Sequence, residues 1–212
     1  MTPVMQKHAT RRRIRFILVG ISNNPGKINL FFHKEQKNRI IFATKIKLSV
    51  MLTVRPTQLT DLPRLMEIFA DARAFMAENG NASQWGDGYP HKEDIMNDIR
   101  RNVSYVVLDE DTVIGTFAFI LGEDPTYRQI EGGTWIDDPR TYGTIHRLAA
   151  ARDVHGIADT CLHFCEQRTG HLRADTHSDN KVLQHFLTSR GFVYRGIIYV
   201  RNHSPRLAYQ RI

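Results

Sequence analysis

Apolar residues after position 51 change repeatedly between the two-residue spacing of a strand and the spacing of a helix. Residues 52–58 have the pattern of a strand. Thr60 is a predicted N-cap, and Leu62 and Ile68 begin a helical spacing that continues to Gly80. Followed to the end of the chain, the pattern predicts a strand, two helices, a hairpin, a strand, a helix, a strand, a helix and two strands. Because helices and strands are interleaved, we predict one α/β domain with a mixed sheet and about four helices.

The positive charge of the chain is concentrated in its first fifty residues. Residues 1–50 contain 11 of the 29 Lys and Arg residues and one acid, Glu35, whereas residues 51–212 contain 18 Lys and Arg residues and 21 acids. The formal net charge of +7 therefore divides into +10 for the first part and −3 for the second. A mildly acidic domain has no electrostatic basis for binding a phosphate backbone, so no nucleic-acid partner is predicted for residues 51–212.

Residues 1–50 also differ from the rest of the chain in composition. They contain six Lys and five Arg, whereas residues 51–212 contain 16 Arg and two Lys, and Met51 directly precedes the first predicted strand. Our hypothesis is that Met51 is the natural start and that residues 1–50 are a basic N-terminal extension outside the native fold. Three alternatives stay open: a signal peptide around residues 11–20, an organelle transit peptide, and a basic arm for nucleic acid or an anionic membrane.

Cysteine, histidine and apolar residues indicate a compartment and exclude several kinds of site. Cys161 and Cys165 are four apart in a predicted helix, which suits two small core residues better than a disulfide, so we predict a reducing, cytoplasmic location. The sequence contains neither a His-x-x-x-His pair nor a Cys-x-x-Cys, so no metal site is predicted. The longest apolar run, residues 117–121, is far shorter than the roughly 18 residues of a membrane span, so no membrane partner is predicted.

The segment 150–158 joins a predicted strand to a predicted helix and contains two small residues, Gly156 and Ala158. Small residues allow a ligand to approach the backbone closely. The free amides and the dipole at the start of the following helix favour an anion such as a pyrophosphate. Because a single glycine before a helix is more often only a turn, the segment has to be interpreted together with other residues.

Those residues and several others resemble the GNAT family of N-acetyltransferases over residues 51–212. The coenzyme A loop of that family reads Gln/Arg-x-x-Gly-x-Gly/Ala; residues 155–158 match its last four positions, whereas Asp153 stands at the first. Asn180 and Gly191–Phe192 match a later family signature. The phrases that resemble an uncharacterised bacterial subgroup are Gln84–Trp85, Gly88–Tyr89–Pro90, Ile145–His146–Arg147 and Asp175–Thr176–His177.

By this resemblance the sheet is mostly antiparallel, and its strands at 142–149 and 171–176 splay apart at the coenzyme A site. The implied activity is acetylation of an amino group on a small molecule or peptide, with acetyl-CoA as co-substrate, direct attack on the thioester and no metal. The oligomeric state stays open, with a homodimer as one alternative. The implied cofactor-binding residues are Leu148, Ala149, Ala150, His155, Gly156, Ile157, Ala158 and Asn180, and the implied aromatic residues of the acceptor pocket are Trp85, Tyr89 and Trp135.

The resemblance marks the catalytic residues less clearly than the cofactor loop. His146 lies on the strand where several family members place a base, and an ordinary histidine pKa of about 6.5 suits deprotonation of an amine. Its alternative role is to bond a neighbour and order Arg147. Asp175 and His177, at a strand end expected to face the cleft, are second candidates, with helix capping or hydrogen bonding as their alternative.

The usual acid of the family, a tyrosine seven residues after the Asn, is replaced by Leu187. Tyr199 or Tyr142 would then protonate the leaving thiolate, or water would. The missing tyrosine favours a rival function, a catalytically idle module that binds acyl-CoA. A second rival is a nucleic-acid-binding protein that acts through residues 1–50.

Overall fold

The computed structural model describes residues 52–200 and 202–212, which contain one seven-stranded sheet and four α-helices. The predicted extension, residues 1–50, and the predicted start at Met51 lie outside the described residues. The strands are β1 (Thr53–Pro56), β2 (Ser104–Asp109), β3 (Thr112–Leu121), β4 (Gly143–Ala150), β5 (Leu172–Thr176), β6 (Val193–Tyr199) and β7 (Pro205–Arg211). The helices are α1 (Leu62–Glu78), α2 (Lys92–Arg100), α3 (Ile157–Glu166) and α4 (Lys181–Ser189). None of the described helices is long and apolar enough to cross a membrane.

The sheet has the strand order β1-β2-β3-β4-β5-β7-β6. All neighbouring strands in this described sheet are antiparallel except β4 and β5, which are parallel. A parallel pair requires a crossover connection, and α3 supplies it here. The predicted α/β class, with a mixed, mostly antiparallel sheet and about four helices, is confirmed.

Helices cover both faces of the sheet. Because adjacent residues of a strand point to opposite faces, one strand contributes side chains to both cores. Val106 belongs to the core packed with α1 and α2, whereas Val107 belongs to the core packed with α3 and α4. Cys161 and Cys165 are free and buried in the second core, as the sequence predicts.

The start of α1 differs from the prediction. Thr60 is not an N-cap but lies inside a short 3-10 turn, Leu59–Asp61, that precedes the helix. Gln58 and Asp61 form a capping box across this turn, and Arg55 pairs with Asp61 at 2.7 Å. The N-cap of α1 is Asp61, one residue after the predicted Thr60, because the chain makes one tighter turn before the helix begins.

Strand β4 separates from β5 partway along its length. Residues 143–145 pair with residues 172–174, and the described ladder between the two strands ends there. On the β3 side, a bulge places Arg147 and Leu148 opposite the single residue Phe117. Arg147 has a φ of 52°, a left-handed conformation that is uncommon for a residue with a side chain. The strand therefore changes direction just where its partner leaves it.

Candidate active site

A cavity of about 1130 Å³ opens where β4 and β5 separate. Residues 145–150 of β4 line it, and the loop 151–155 continues the wall to α3. Side chains of α1, of the α1–α2 loop, of α2 and of α4 also line it, together with residues 124–126. One cavity thus reaches both the start of α3 and the polar residues of β4 and β5.

The amino end of α3 provides backbone donors at this cavity. Gly156 is its N-cap with a φ of 88°, and no described side chain caps the helix. The first amides of a helix have no acceptor within the helix, and the dipole makes this end positive. Since His155, Ile157 and Ala158 line the cavity, this end suits an anion such as a diphosphate.

Two glycines determine how α3 starts, for different reasons. A Cβ atom added to Gly115 on β3 would lie 2.6 Å from Ile157 Cγ2, so this glycine allows the helix to pack directly on the sheet. A Cβ added to Gly156 would meet only Leu52 Cδ1, at the ordinary contact distance of 3.7 Å. Gly156 is therefore required by its left-handed backbone and not by lack of space.

His146 and Asp124 form a hydrogen-bonded pair on the cavity wall. His146 Nε2 lies 2.7 Å from Asp124 Oδ2. Burial acts to raise the pKa of Asp124, but the hydrogen bond from His146 and its electrostatic attraction outweigh burial and lower this pKa to about 2. An ionised carboxylate only accepts, so Nε2 carries the proton of this bond. His146 Nδ1 lies 3.8 Å from Asp175 Oδ1.

Asp175, at the end of β5, is held by two further side chains. The buried Tyr127 donates its hydroxyl to Asp175 Oδ1 over 2.6 Å. Burial first, and then the charge of Asp175 and this hydrogen bond, raise the pKa of Tyr127 well above its ordinary value, so the phenol stays a donor. Arg206 Nε lies 4.0 Å from Asp175 Oδ2. The predicted catalytic residue Asp175 is therefore fixed beside the imidazole.

Arg147, at the bulge of β4, connects the strand to α2 and to the α1–α2 loop. Its Nη1 donates to Asp98 Oδ2 at 2.5 Å, and its Nε donates to the Tyr89 hydroxyl at 3.0 Å. Burial raises the pKa of Asp98, and the positive charge of Arg147 opposes that shift. These contacts hold the strained residue and the cavity wall together.

Comparison with solved structures identifies the architecture around this cavity. A crystal structure of a GNAT-family acetyltransferase from Streptococcus agalactiae 2603 is 30% identical and superposes with a TM-score of 0.68, covering 76% of this chain and 95% of that chain. The chain belongs to the GNAT family of acetyltransferases. A GNAT-family acetyltransferase from Listeria monocytogenes 4b F2365, at 20% identity and a TM-score of 0.57, shares the fold over 76% of this chain and 94% of its own. No protein-family model matches the sequence, and none of the curated proteins compared with it matches.

The structure places most of the predicted cofactor-binding residues of this GNAT domain at one cavity. Gly156 forms the turn into α3. Asn180 is the N-cap of α4, and its Oδ1 accepts a hydrogen bond from the Leu183 amide at 3.0 Å. Across the described chain, no group of three His, Cys, Asp or Glu side chains could hold a metal ion. The cavity-lining members of the predicted set are Leu148, Ala149, Ala150, His155, Ile157, Ala158 and Asn180.

Two of the three predicted acceptor-pocket aromatics come together in the GNAT domain. Trp85 is 8% exposed and lines the cavity with Tyr89, their ring centroids 6.4 Å apart. Trp135 is not among the described residues that line the cavity. It stacks on Tyr127 at 5.6 Å and lies under the Arg173 guanidinium, whose central carbon is 4.2 Å from the ring centroid. Trp135 therefore packs against Tyr127, the residue that donates a hydrogen bond to Asp175.

Two of the predicted catalytic residues do not reach the described cavity walls. His177 lies in the turn before α4, where its Nδ1 accepts a hydrogen bond from the Asp179 amide at 3.2 Å. Tyr199 is 44% exposed and donates to Glu131 at 2.9 Å. Of the four predicted catalytic residues, His146 and Asp175 are the two that the structure brings together at the cavity.

Three residues that shape this GNAT site were not predicted from the sequence: Asp98, Asp124 and Tyr127. Asp124 precedes a proline, and its Oδ1 accepts a hydrogen bond from the Thr126 amide at 2.9 Å. An Asp before Pro signals a turn. Nothing in that signal shows that the same carboxylate also reaches a histidine 22 residues later.

Proposed function

We propose that this GNAT domain is an N-acetyltransferase that uses acetyl-CoA to acetylate an amino group of a small molecule or peptide. The observation that supports this most is the continuity of one cavity from the uncapped start of α3 to the Asp124–His146 pair. Such a cavity would suit one extended ligand, with its anionic end at the start of α3 and its reacting end near His146.

The residues at the first end fit coenzyme A chemically. The amides that follow His155 would bind the diphosphate, and the polar backbone of β4 beyond residue 145, where the described ladder with β5 has ended, would pair with the pantetheine amides. Arg152, adjacent to the family's polar position, is engaged with Glu78 at 3.1 Å, so binding at the diphosphate rests on the amides. When bound, acetyl-CoA supplies an activated acetyl thioester.

His146 is the proposed base. Its Nε2 proton is held by Asp124, which in the neutral imidazole leaves Nδ1 as an acceptor beside the cavity. An amine attacks a thioester carbonyl only when uncharged, so a base that removes its proton, directly or through water, promotes the transfer. Asp175, 3.8 Å from Nδ1, would stabilise the imidazolium that forms.

The leaving thiolate takes its proton from water in this proposal. Leu187, at the family's usual tyrosine position, is buried at 3% exposure. The Tyr142 hydroxyl accepts a hydrogen bond from the Asp124 amide at 2.9 Å. Neither Tyr142 nor Tyr199 is among the described cavity-lining residues.

Calorimetric titration of the full chain with acetyl-CoA, followed by thiol-release assays with a panel of small amines and short peptides, tests the proposal. His146→Ala should lower turnover about 100-fold or more, the usual contribution of a general base, and change the acetyl-CoA dissociation constant far less. His163→Ala is the matched control, because the His163 side chain is 74% exposed. An unchanged turnover in His146→Ala removes His146 from the mechanism. If the titration detects no binding of acetyl-CoA, the proposal itself is contradicted.

The buried Leu187 favours a second candidate function, a catalytically idle module that binds acyl-CoA. This candidate shares the α3 site and lacks the transfer step. Calorimetric binding without thiol release from any amine of the panel would support it. Turnover with a single amine excludes it.

A further inference from the structure

One residue of the α1–α2 loop, Gln84, bonds to elements that are distant from it in sequence. Its Oε1 accepts from Asn81 Nδ2 at 2.8 Å and from Asn180 Nδ2 at 2.9 Å, and the Thr176 hydroxyl lies 3.5 Å away. Its backbone carbonyl accepts from Arg206 Nη2 at 3.3 Å. Gln84 is therefore bonded to α4, β5 and β7 from a loop that is more than 90 residues away in sequence from each of them.

The orientation of these side-chain amides follows from the backbone. Asn180 Oδ1 accepts from the Leu183 amide, so Nδ2 is the atom that faces Gln84. Gln84 must then present its oxygen, and Asn81 must present its nitrogen. Asn81 Oδ1 is consequently buried, with no partner in the described structure. A cluster that served stability alone would have no reason to keep a buried acceptor unpaired, because that is destabilising.

The bonded residues form part of the cavity wall. Asn81, Gln84, Asn180 and Arg206 all line it, and Arg206 also approaches Asp175, at 4.0 Å. Trp85 follows Gln84 directly and forms part of the same wall. The position of the aromatic wall is thereby fixed relative to the amino end of α4 and to the carboxylate beside His146.

We propose that Gln84 is a positioning residue that holds the aromatic wall formed by Trp85 and Tyr89 against the start of α4. This inference rests on the function proposed above. Through its hydrogen bond to Gln84, Asn180 then influences the wall at which the amine binds. Acetyl-CoA binding beside α4 then orders the loop at which the amine binds. The acceptor wall and the cofactor wall are thus one coupled unit.

Trp85 fluorescence tests this proposal without knowledge of the amine. The chain has two tryptophans, so Trp135→Phe in the full chain leaves Trp85 as the reporter. Gln84→Met keeps the length of the side chain and removes the acceptor. We expect it to raise the acrylamide quenching constant of Trp85 roughly fivefold, as the loss of about one net hydrogen bond would do to a local opening equilibrium.

Gln84→Glu is the matched control, because a carboxylate accepts from the same two amides. Its acrylamide quenching constant for Trp85 should equal that of the parent. Saturating acetyl-CoA should reduce quenching in the parent and in Gln84→Glu, and not in Gln84→Met. If Gln84→Met does not fold, Gln84→Asn, one methylene too short for the bridge, replaces it. Parent-like quenching in a folded Gln84→Met or Gln84→Asn overturns the positioning role. A raised quenching constant together with no calorimetric binding of acetyl-CoA by the parent leaves the bridge in place and contradicts the proposed function instead.

Discussion

Replacing Asp98 by Ala is the most direct test of how β4 is held at its bulge. Asp98 is 1% exposed, and Arg147, with a φ of 52°, donates to it at 2.5 Å. The Arg147 side chain is only 18% exposed, so water cannot replace the lost carboxylate fully. The substitution leaves a mostly buried guanidinium with the Tyr89 hydroxyl as its remaining described partner.

The expected cost follows from that burial. Removing one partner of a buried ion pair usually costs about 3–5 kcal/mol in the free energy of unfolding. For a domain of this size each kcal/mol corresponds to roughly 2–4 °C in melting temperature, so a decrease of about 6–20 °C is expected. Turnover should fall as well, because the bulge would no longer be held at the cavity.

Urea unfolding and thermal melts of the full chain measure this cost. The control is Glu67→Ala, which removes the acceptor of Arg64 at 2.7 Å in a pair whose side chains are 40% and 65% exposed. Exposed pairs contribute about 0–1 kcal/mol, so the control should change stability little. The double variant Asp98→Leu with Arg147→Met should recover much of the loss, since apolar pairs often replace buried ion pairs without cost. Equal losses in Asp98→Ala and Glu67→Ala would refute this account.

Two further predictions concern backbone conformation and pH. Gly156→Ala should cost about 1–2 kcal/mol of stability and weaken acetyl-CoA binding, because φ is 88° and not because of crowding; Gly156→Asn should cost less, and urea unfolding with calorimetry measures both. The pKa of His171 is lowered from 6.5, chiefly by burial, so the fold holds it neutral, and His171 Nε2 lies 2.7 Å from Gln210 Nε2. The free energy of unfolding should therefore fall as pH drops below about 6.5 toward the lowered pKa, and His171→Gln should flatten that decrease; an identical pH dependence in the variant would contradict the assignment.

Much of the fold was readable from the sequence because its signals are local. The helical spacing from Leu62 onward and the apolar run 117–121 each depend on neighbours within a few turns or residues. The match of residues 155–158 to a coenzyme A loop is likewise a short continuous pattern. Even so, the predicted N-cap at Thr60 was wrong. A 3-10 turn precedes the helix, and the spacing of apolar residues does not indicate such a turn.

Tertiary structure determined which side chains come together at the site. His146 was predicted from its strand, but its partner Asp124 comes from a loop whose path no short pattern encodes. Trp85 and Trp135 have equal standing as loop aromatics in the sequence, yet one lines the cavity and the other supports Tyr127. A shift of one residue in a strand exchanges its two faces, and the bulge at Arg147 makes such a shift. The sequence alone determined which segments form strands and helices, because those preferences act between near neighbours; which side chains meet was determined by register and loop path, which exist only once the whole sheet has formed.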